Sequence, residues 1–153
     1  TWQCGGVALE EFTINRGTAN DPSWGRSDLW LTLNDHSIAV EAKQSWQNNN
    51  GYQDILKKMD RAVEDLGRVS STRDDPTLGL VFVTLKVSEK AAYVSRMEDI
   101  IYERLSWIYR NKEKLDLIAG HFPDFSDEAT TKFPDTGGRT WFWPGIYMVG
   151  RLV

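Results

Sequence analysis

The chain has 153 residues, of which 41% are hydrophobic, 26% charged and 12% aromatic, and its formal net charge is −4. That length suits one domain spanning residues 1–153, and the composition excludes disordered, collagen-like and low-complexity classes. A single cysteine, Cys4, excludes an internal disulfide and a thiolate metal cluster, and the net acidity argues against a surface that binds phosphate throughout, though not against a local patch. No apolar run reaches the roughly 20 residues of a membrane span, and TWQCGG lacks the plan of a signal peptide. A cytoplasmic protein without membrane contact is the expectation, with a secreted effector left open. The chain begins at Thr1 rather than Met, so a preceding N-terminal element is allowed for.

Taken in chain order, VALEEF (Val7–Phe12) reads as the end of a helix begun upstream, and RGTANDPSWG as a loop. From Asp28, DLWLTL and IAVEAK are short β-rich runs separated by NDHS, which predicts a hairpin. After Asn48–Gly51, apolar residues at Tyr52, Ile55, Leu56, Met59, Val63 and Leu66 predict an amphipathic helix, with Asn50 as its N-cap. LGLVFVTLKV, after Pro76, reads as a strand buried on both faces at the sheet centre. Met97, Ile101, Leu105 and Ile108 predict a second helix running past Arg110 toward Ile118. Residues 111–153 are expected to hold a long loop, Gly120–Arg139, and then WFWPGIYMVGRLV, an edge strand interrupted at Pro144 and Gly145. The order is (α)ββαβαβ, an α/β (α+β) chain.

Within the hairpin, Glu41-Ala42-Lys43 puts an acid and a lysine on one face of one strand. With 22 acidic residues and eight lysines in the chain, roughly one such triplet is expected by chance, so the triplet alone carries nothing. A turn centred on Asp35 and His36 adds geometry. It sets Asp28 opposite Lys43 and Trp30 opposite Glu41, which brings the Asp28 and Glu41 carboxylates to a diagonal of roughly 7 Å. The other face carries Leu29, Leu31, Leu33, Ile38, Val40 and Ala42, suited to packing against helices. Carboxylates this close repel unless they share a proton or a cation, and a site of few oxygen ligands suits Mg²⁺, which keeps several waters and accepts phosphate as co-ligand. Lys43 beside them is placed to orient a water, which points to phosphodiester hydrolysis. The plain alternative is a solvated Asp28–Lys43 ion pair worth under about 1 kcal/mol.

These residues resemble the PD-(D/E)XK nucleases of restriction-endonuclease-like fold. The resemblance rests on the Asp28 strand, the 13-residue step to Glu41, the Glu41-Ala42-Lys43 triplet and the helix and buried strand that follow, covering about residues 25–90. It implies an αβββαβ core with a mixed central sheet flanked by helices, Mg²⁺ (or Mn²⁺) held by Asp28, Glu41 and the Ala42 carbonyl, Lys43 positioning the attacking water, and DNA rather than RNA as substrate. Ser27 stands where the family motif has Pro. Many members place a Glu on the preceding helix, a part that falls to Glu11 or Glu10, and some exonuclease-like members carry Gln and then Tyr on the following helix. This chain has Gln53, with Lys57 at the Tyr position.

Lys57, Lys58 and Arg61, with Arg68 and Arg73 beyond, form a basic strip interrupted by Asp54, Asp60, Glu64 and Asp65, which reads first as a solvated helix face and otherwise as a phosphate contact. Gln44, after the triplet, reads equally as a further substrate contact or as the end of the strand. Trp24 and Trp46, at the two open ends of the hairpin, read first as core or interface packing and otherwise as base-stacking platforms. Trp141, Phe142, Trp143, Ile146 and Tyr147 read as core or as a homodimer contact, and His36 and His121 as surface residues. The leading expectation is a Mg²⁺-dependent nuclease that binds DNA weakly without metal. The alternatives are an inactive nuclease-like scaffold that binds protein or nucleic acid, and a nuclease toxin or effector module of a longer chain.

Overall fold

The computed structural model describes residues 7–15, 24–33, 36–49, 51–67, 76–122, 132–134 and 136–153. Strands β1 (Val7–Asn15), β2 (Trp24–Leu33) and β3 (His36–Gln47) form an antiparallel meander. Val7–Phe12 is therefore strand, not the end of a helix. Pairing with β2, from Val7↔Thr32 to Asn15↔Trp24, overrides the ambiguous local pattern of that segment. His36 is likewise not in the turn but opens β3, opposite Leu33.

Helix α1 (Gln53–Gly67) connects β3 to β4 (Thr77–Leu85). Ile55, Met59, Ala62 and Leu66 supply its buried stripe at helical spacing. Ala39 N donates to Pro76 O at one end and Lys86 N to Gln47 O at the other. Both partner numbers rise together, so β3 and β4 run parallel, and α1 is the crossover that a parallel pair requires. Thr77 and Val153 exchange two main-chain hydrogen bonds, which makes β4 and β9 (Ile146–Leu152) antiparallel. The fold is thus α+β with a mixed sheet, in the order β1-β2-β3-β4-β9-β6, where β6 is Leu117–His121.

Three sequence expectations change in the C-terminal half. The second long helix, α3 (Met97–Arg110), stops at Asn111 and gives way to a 3-10 turn at Lys112–Lys114, so Ile118 lies in strand β6. The last strand, β9, is interior, and β6 is the edge beside it. Pro144, without an N–H, falls in the break before β9 rather than in a ladder. The segment read as a long loop contains β7 (Lys132–Pro134), which pairs with β8 (Thr140–Phe142). A short strand, β5 (Val87–Ser88), completes this separate three-stranded sheet and leads into helix α2 (Glu89–Val94).

The chain divides into two compact units, Thr1–Lys43 with Lys57–Val81 and Gly150–Val153, and Gln44–Leu56 with Phe82–Val149. In the first, Ala39, Val40, Met59, Ala62, Leu66, Leu78, Leu80 and Val81 are buried. Gly79 lets α1 lie against β4, since a Cβ there would stand 3.1 Å from Val63 Cγ2 and 3.3 Å from Ala62 Cβ. In the second, Ile55, Val83, Leu85, Val87, Ile100, Ile101, Trp107, Ile108, Leu115, Tyr147 and Val149 form the core. All five of Thr77–Val81 in β4 are buried as expected of a central strand, but Phe82 is 46% exposed. Among the described residues no helix is long and apolar enough to cross a membrane.

Candidate metal and phosphate site

The β2–β3 register is Leu29↔Val40, Trp30↔Ala39 and Leu31↔Ile38, two positions away from the expected one. Trp30 therefore faces Ala39 rather than Glu41, and continuing the ladder by one step puts Asp28 across from Glu41 rather than Lys43. A shift of two positions preserves which residues of each strand share a face. At this step the Asp28 side chain takes a main-chain donor, and the Ala42 amide donates to Asp28 Oδ2 at 2.7 Å. One hydrogen bond leaves a carboxylate with further acceptor capacity.

Lys43 points to the same side as Glu41 and is claimed from two directions. Its Nζ donates to Glu41 Oε1 at 2.7 Å and forms a second ion pair with Asp65 Oδ2 at 2.9 Å. The expected Asp28–Lys43 pair is replaced by these two. The helix also lies on the other side of the hairpin from the one its apolar residues suggest. Asp65 of α1 reaches Lys43, so α1 covers the charged face, and Glu41 is only 5% exposed. On the opposite face Val40 is buried, while Leu29, Leu31, Ile38 and Ala42 are half-buried. Asp28 is exposed, so the cluster opens to solvent on its side.

Burial lowers the Lys43 pKa, but the hydrogen bonds and charges of Glu41 and Asp65 together outweigh it and hold the ammonium above the ordinary lysine value of 10.5. Lys43 is thus a fixed cation at neutral pH and not a general base. Because its folded pKa lies above the unfolded one, its contribution to stability is complete below about pH 10.5 and lost as pH rises through the folded value. The stability gap between wild type and Lys43→Met, read from urea midpoints, is expected to hold steady up to pH 10 and narrow beyond about 10.5. A gap that stays constant through pH 11.5 would contradict the ion-pair geometry.

No family model, curated protein or solved structure matches the chain. The reading of the site therefore rests on its own residues. Three carboxylates (Asp28, Glu41, Asp65) against one ammonium leave two net negative charges in the cluster. Among the described residues no group of three or more His, Cys, Asp or Glu side chains is arranged to hold a metal ion. The Asp28 carboxylate, tied to the Ala42 amide, the Glu41 carboxylate and the main-chain carbonyl between Glu41 and Lys43 form a smaller, all-oxygen donor set. Such a set fits a hard cation that retains most of its water.

The other expected contributors are scattered. Lys57 and Arg61 are exposed on α1 and Lys58 is half-buried, with Asp60 between them paired to Arg151 at 3.0 Å. Arg68 and Arg73 lie outside the described residues, as does Asn50, the expected N-cap. Glu10 and Glu11 are on strand β1 rather than on a helix, because pairing with β2 draws Val7–Asn15 into the sheet, and Trp24 opens β2. The side chains of these three lie outside the described residues. In the second unit Gln44 and Gln53 are exposed, and Trp46, 48% exposed, rests against Trp143 with ring centroids 5.5 Å apart. His36 and His121 are exposed.

Asp65 is the residue that the sequence reading passed over. A signal was present, since Asp65 sits between Ala62 and Leu66 of the buried stripe and thus at the margin where α1 meets the sheet. Also unforeseen is a polar network inside the second unit. Arg104 donates to the main-chain oxygens of Lys86 (2.6 Å), Asn48 (3.1 Å) and Gln47 (3.3 Å). Gln47 Nε2 donates to Arg104 O, and Gln47 Oε1 accepts from Tyr147 Oη, which in turn accepts from Trp107 Nε1.

Proposed function

We propose that this chain is a Mg²⁺-dependent nuclease that hydrolyses phosphodiester bonds in DNA, built on a restriction-endonuclease-like core of the PD-(D/E)XK type. The observation that carries the reading is the hydrogen bond from the Ala42 amide to Asp28 Oδ2, which ties Asp28 to the Glu41-Ala42-Lys43 strand, with Lys43 held as a cation beside Glu41. The β1-β2-β3 meander, the crossover α1 and a β4 parallel to β3 support it, being the βββαβ part of the core that the resemblance implies. So does the β1–β2 register, whose flanking pairs Glu10↔Leu29 and Phe12↔Ser27 put Glu11 in line with Asp28.

In this reading Asp28, Glu41 and the Ala42 carbonyl hold the metal. Bound Mg²⁺ would polarise a phosphoryl oxygen and stabilise charge on the leaving oxygen. The Ala42 amide anchors the Asp28 carboxylate to the strand that carries Glu41. Lys43, protonated and held on two sides, has one N–H left to orient a water toward phosphorus and to stabilise negative charge as it builds. The net negative charge of the cluster makes DNA binding dependent on the cation.

The test is incubation of the protein with plasmid and with linear DNA in Mg²⁺, Mn²⁺ or EDTA, alongside Asp28→Ala, Glu41→Ala and Lys43→Ala. Metal-dependent cleavage by wild type that is lost in all three variants is the expected result, and cleavage undiminished in all three would refute the site. A parallel RNA substrate tests the choice of DNA. A second reading, a non-catalytic scaffold that binds a partner, is favoured by the double ion pair of Lys43, which satisfies the lysine without any ligand. It expects no cleavage and a folded protein indifferent to Mg²⁺.

A further inference from the structure

A lysine ammonium has three N–H donors on a flexible four-carbon stem. Held by Glu41 alone, Nζ would pivot about one contact and Lys43 would have Glu41 as its sole counter-ion. Asp65 changes both conditions. It grips Nζ from the helix at 2.9 Å while Glu41 grips it from the strand at 2.7 Å, and two fixed partners set the direction of the third N–H. Asp65 itself is anchored, because Ala62 and Leu66 on either side of it are both fully buried. Its charge also shares the neutralisation of Lys43, so Glu41 retains negative charge for a cation.

We propose that Asp65 is a positioning residue of this site, orienting Lys43 toward the phosphodiester and preserving the charge of Glu41 for the divalent ion. The inference rests on the nuclease reading and adds a helix residue that acts only through Lys43.

The experiment compares wild type, Asp65→Asn, Asp65→Glu and Glu41→Gln for steady-state DNA cleavage, and separately for binding of Mn²⁺ alone by electron paramagnetic resonance. Asp65→Asn is close in shape and keeps an acceptor oxygen for Lys43, so its circular dichroism should match wild type, with the melting temperature lowered only by the loss of one partly exposed ion pair. It is expected to lower kcat about ten- to hundredfold through a misaimed Lys43 with KM unchanged. Mn²⁺ affinity should fall about tenfold, the effect of one unit charge removed several ångströms from a divalent ion in water. Asp65→Glu should recover part of both losses. If wild type cleaves and binds Mn²⁺, Glu41→Gln does neither, and Asp65→Asn equals wild type in both, the role of Asp65 is overturned and the nuclease reading stands. If wild type neither cleaves nor binds Mn²⁺, the nuclease reading fails and the inference falls with it.

Discussion

Replacing Arg104 with Met should destabilise the protein by about 2–4 kcal/mol, a large effect for one side chain whose aliphatic length is preserved. Arg104 is 6% exposed and directs its guanidinium at the main-chain oxygens of Gln47, Asn48 and Lys86, where β3 ends and β4 has just ended. Burial pulls its pKa below the ordinary arginine value, yet a guanidinium stays charged in proteins, so these are charge-assisted bonds of about 1.5–3 kcal/mol each. Three such bonds would exceed the expected total. Removing the group also relieves the cost of burying a cation, and the Gln47 oxygen keeps its bond from Lys86 N, which brings the net figure down. Arg104→Lys keeps the charge but loses the planar fork that reaches three carbonyls, and should fare little better. Urea denaturation of both variants at matched slope is the measurement, and a loss under about 1 kcal/mol would mean that water replaces the guanidinium without penalty.

This network was invisible in the sequence for a physical reason. Gln47 meets Arg104 across 57 residues of chain and Tyr147 across 100, and neither local spacing nor composition predicts such contacts. A Gln ending a strand and an Arg within a helix pattern each read as solvent-facing. Only the packed unit shows that the helix brings Arg104 onto open strand ends, and that burial raises the Tyr147 hydroxyl pKa well above its ordinary value, keeping it a neutral donor to Gln47.

The hairpin was more legible, and its error is instructive. Moving a turn centre by one residue changes every partner by two positions, which leaves each side chain on the same face. Hence Glu41 and Lys43 share a face in either register, while the residues across the hairpin from them change. Which face the helix covers was misread, because apolar content favoured the side of Leu29 and Val40. Asp65 allows α1 to lie over a face carrying Glu41 and Lys43 by supplying the second counter-charge. The Val7–Phe12 segment failed differently. Its adjacent Glu10 and Glu11 break the alternation of a strand, and only the pairing with β2 identifies it as one.

Glu41→Gln is expected to separate catalysis from stability. The substitution keeps the volume and an acceptor for Lys43 but removes the charge, and with it one of the two carboxylates assigned to the cation. Losing several kcal/mol of transition-state charge stabilisation corresponds to a cleavage rate lower by about 10³-fold or more. Stability should change by less than about 1 kcal/mol, since a neutral amide at a 5% exposed position escapes the desolvation cost of a carboxylate while Lys43 keeps Asp65 as counter-ion. Saturating Mg²⁺ should raise the melting temperature of wild type and not of the variant, because a ligand stabilises only the form that binds it. Cleavage assays and thermal melts with and without Mg²⁺ thus read the same residue in two ways. A variant that is markedly destabilised, with wild type inert toward Mg²⁺ and DNA, would assign Glu41 to the ion pair alone and favour the non-catalytic scaffold.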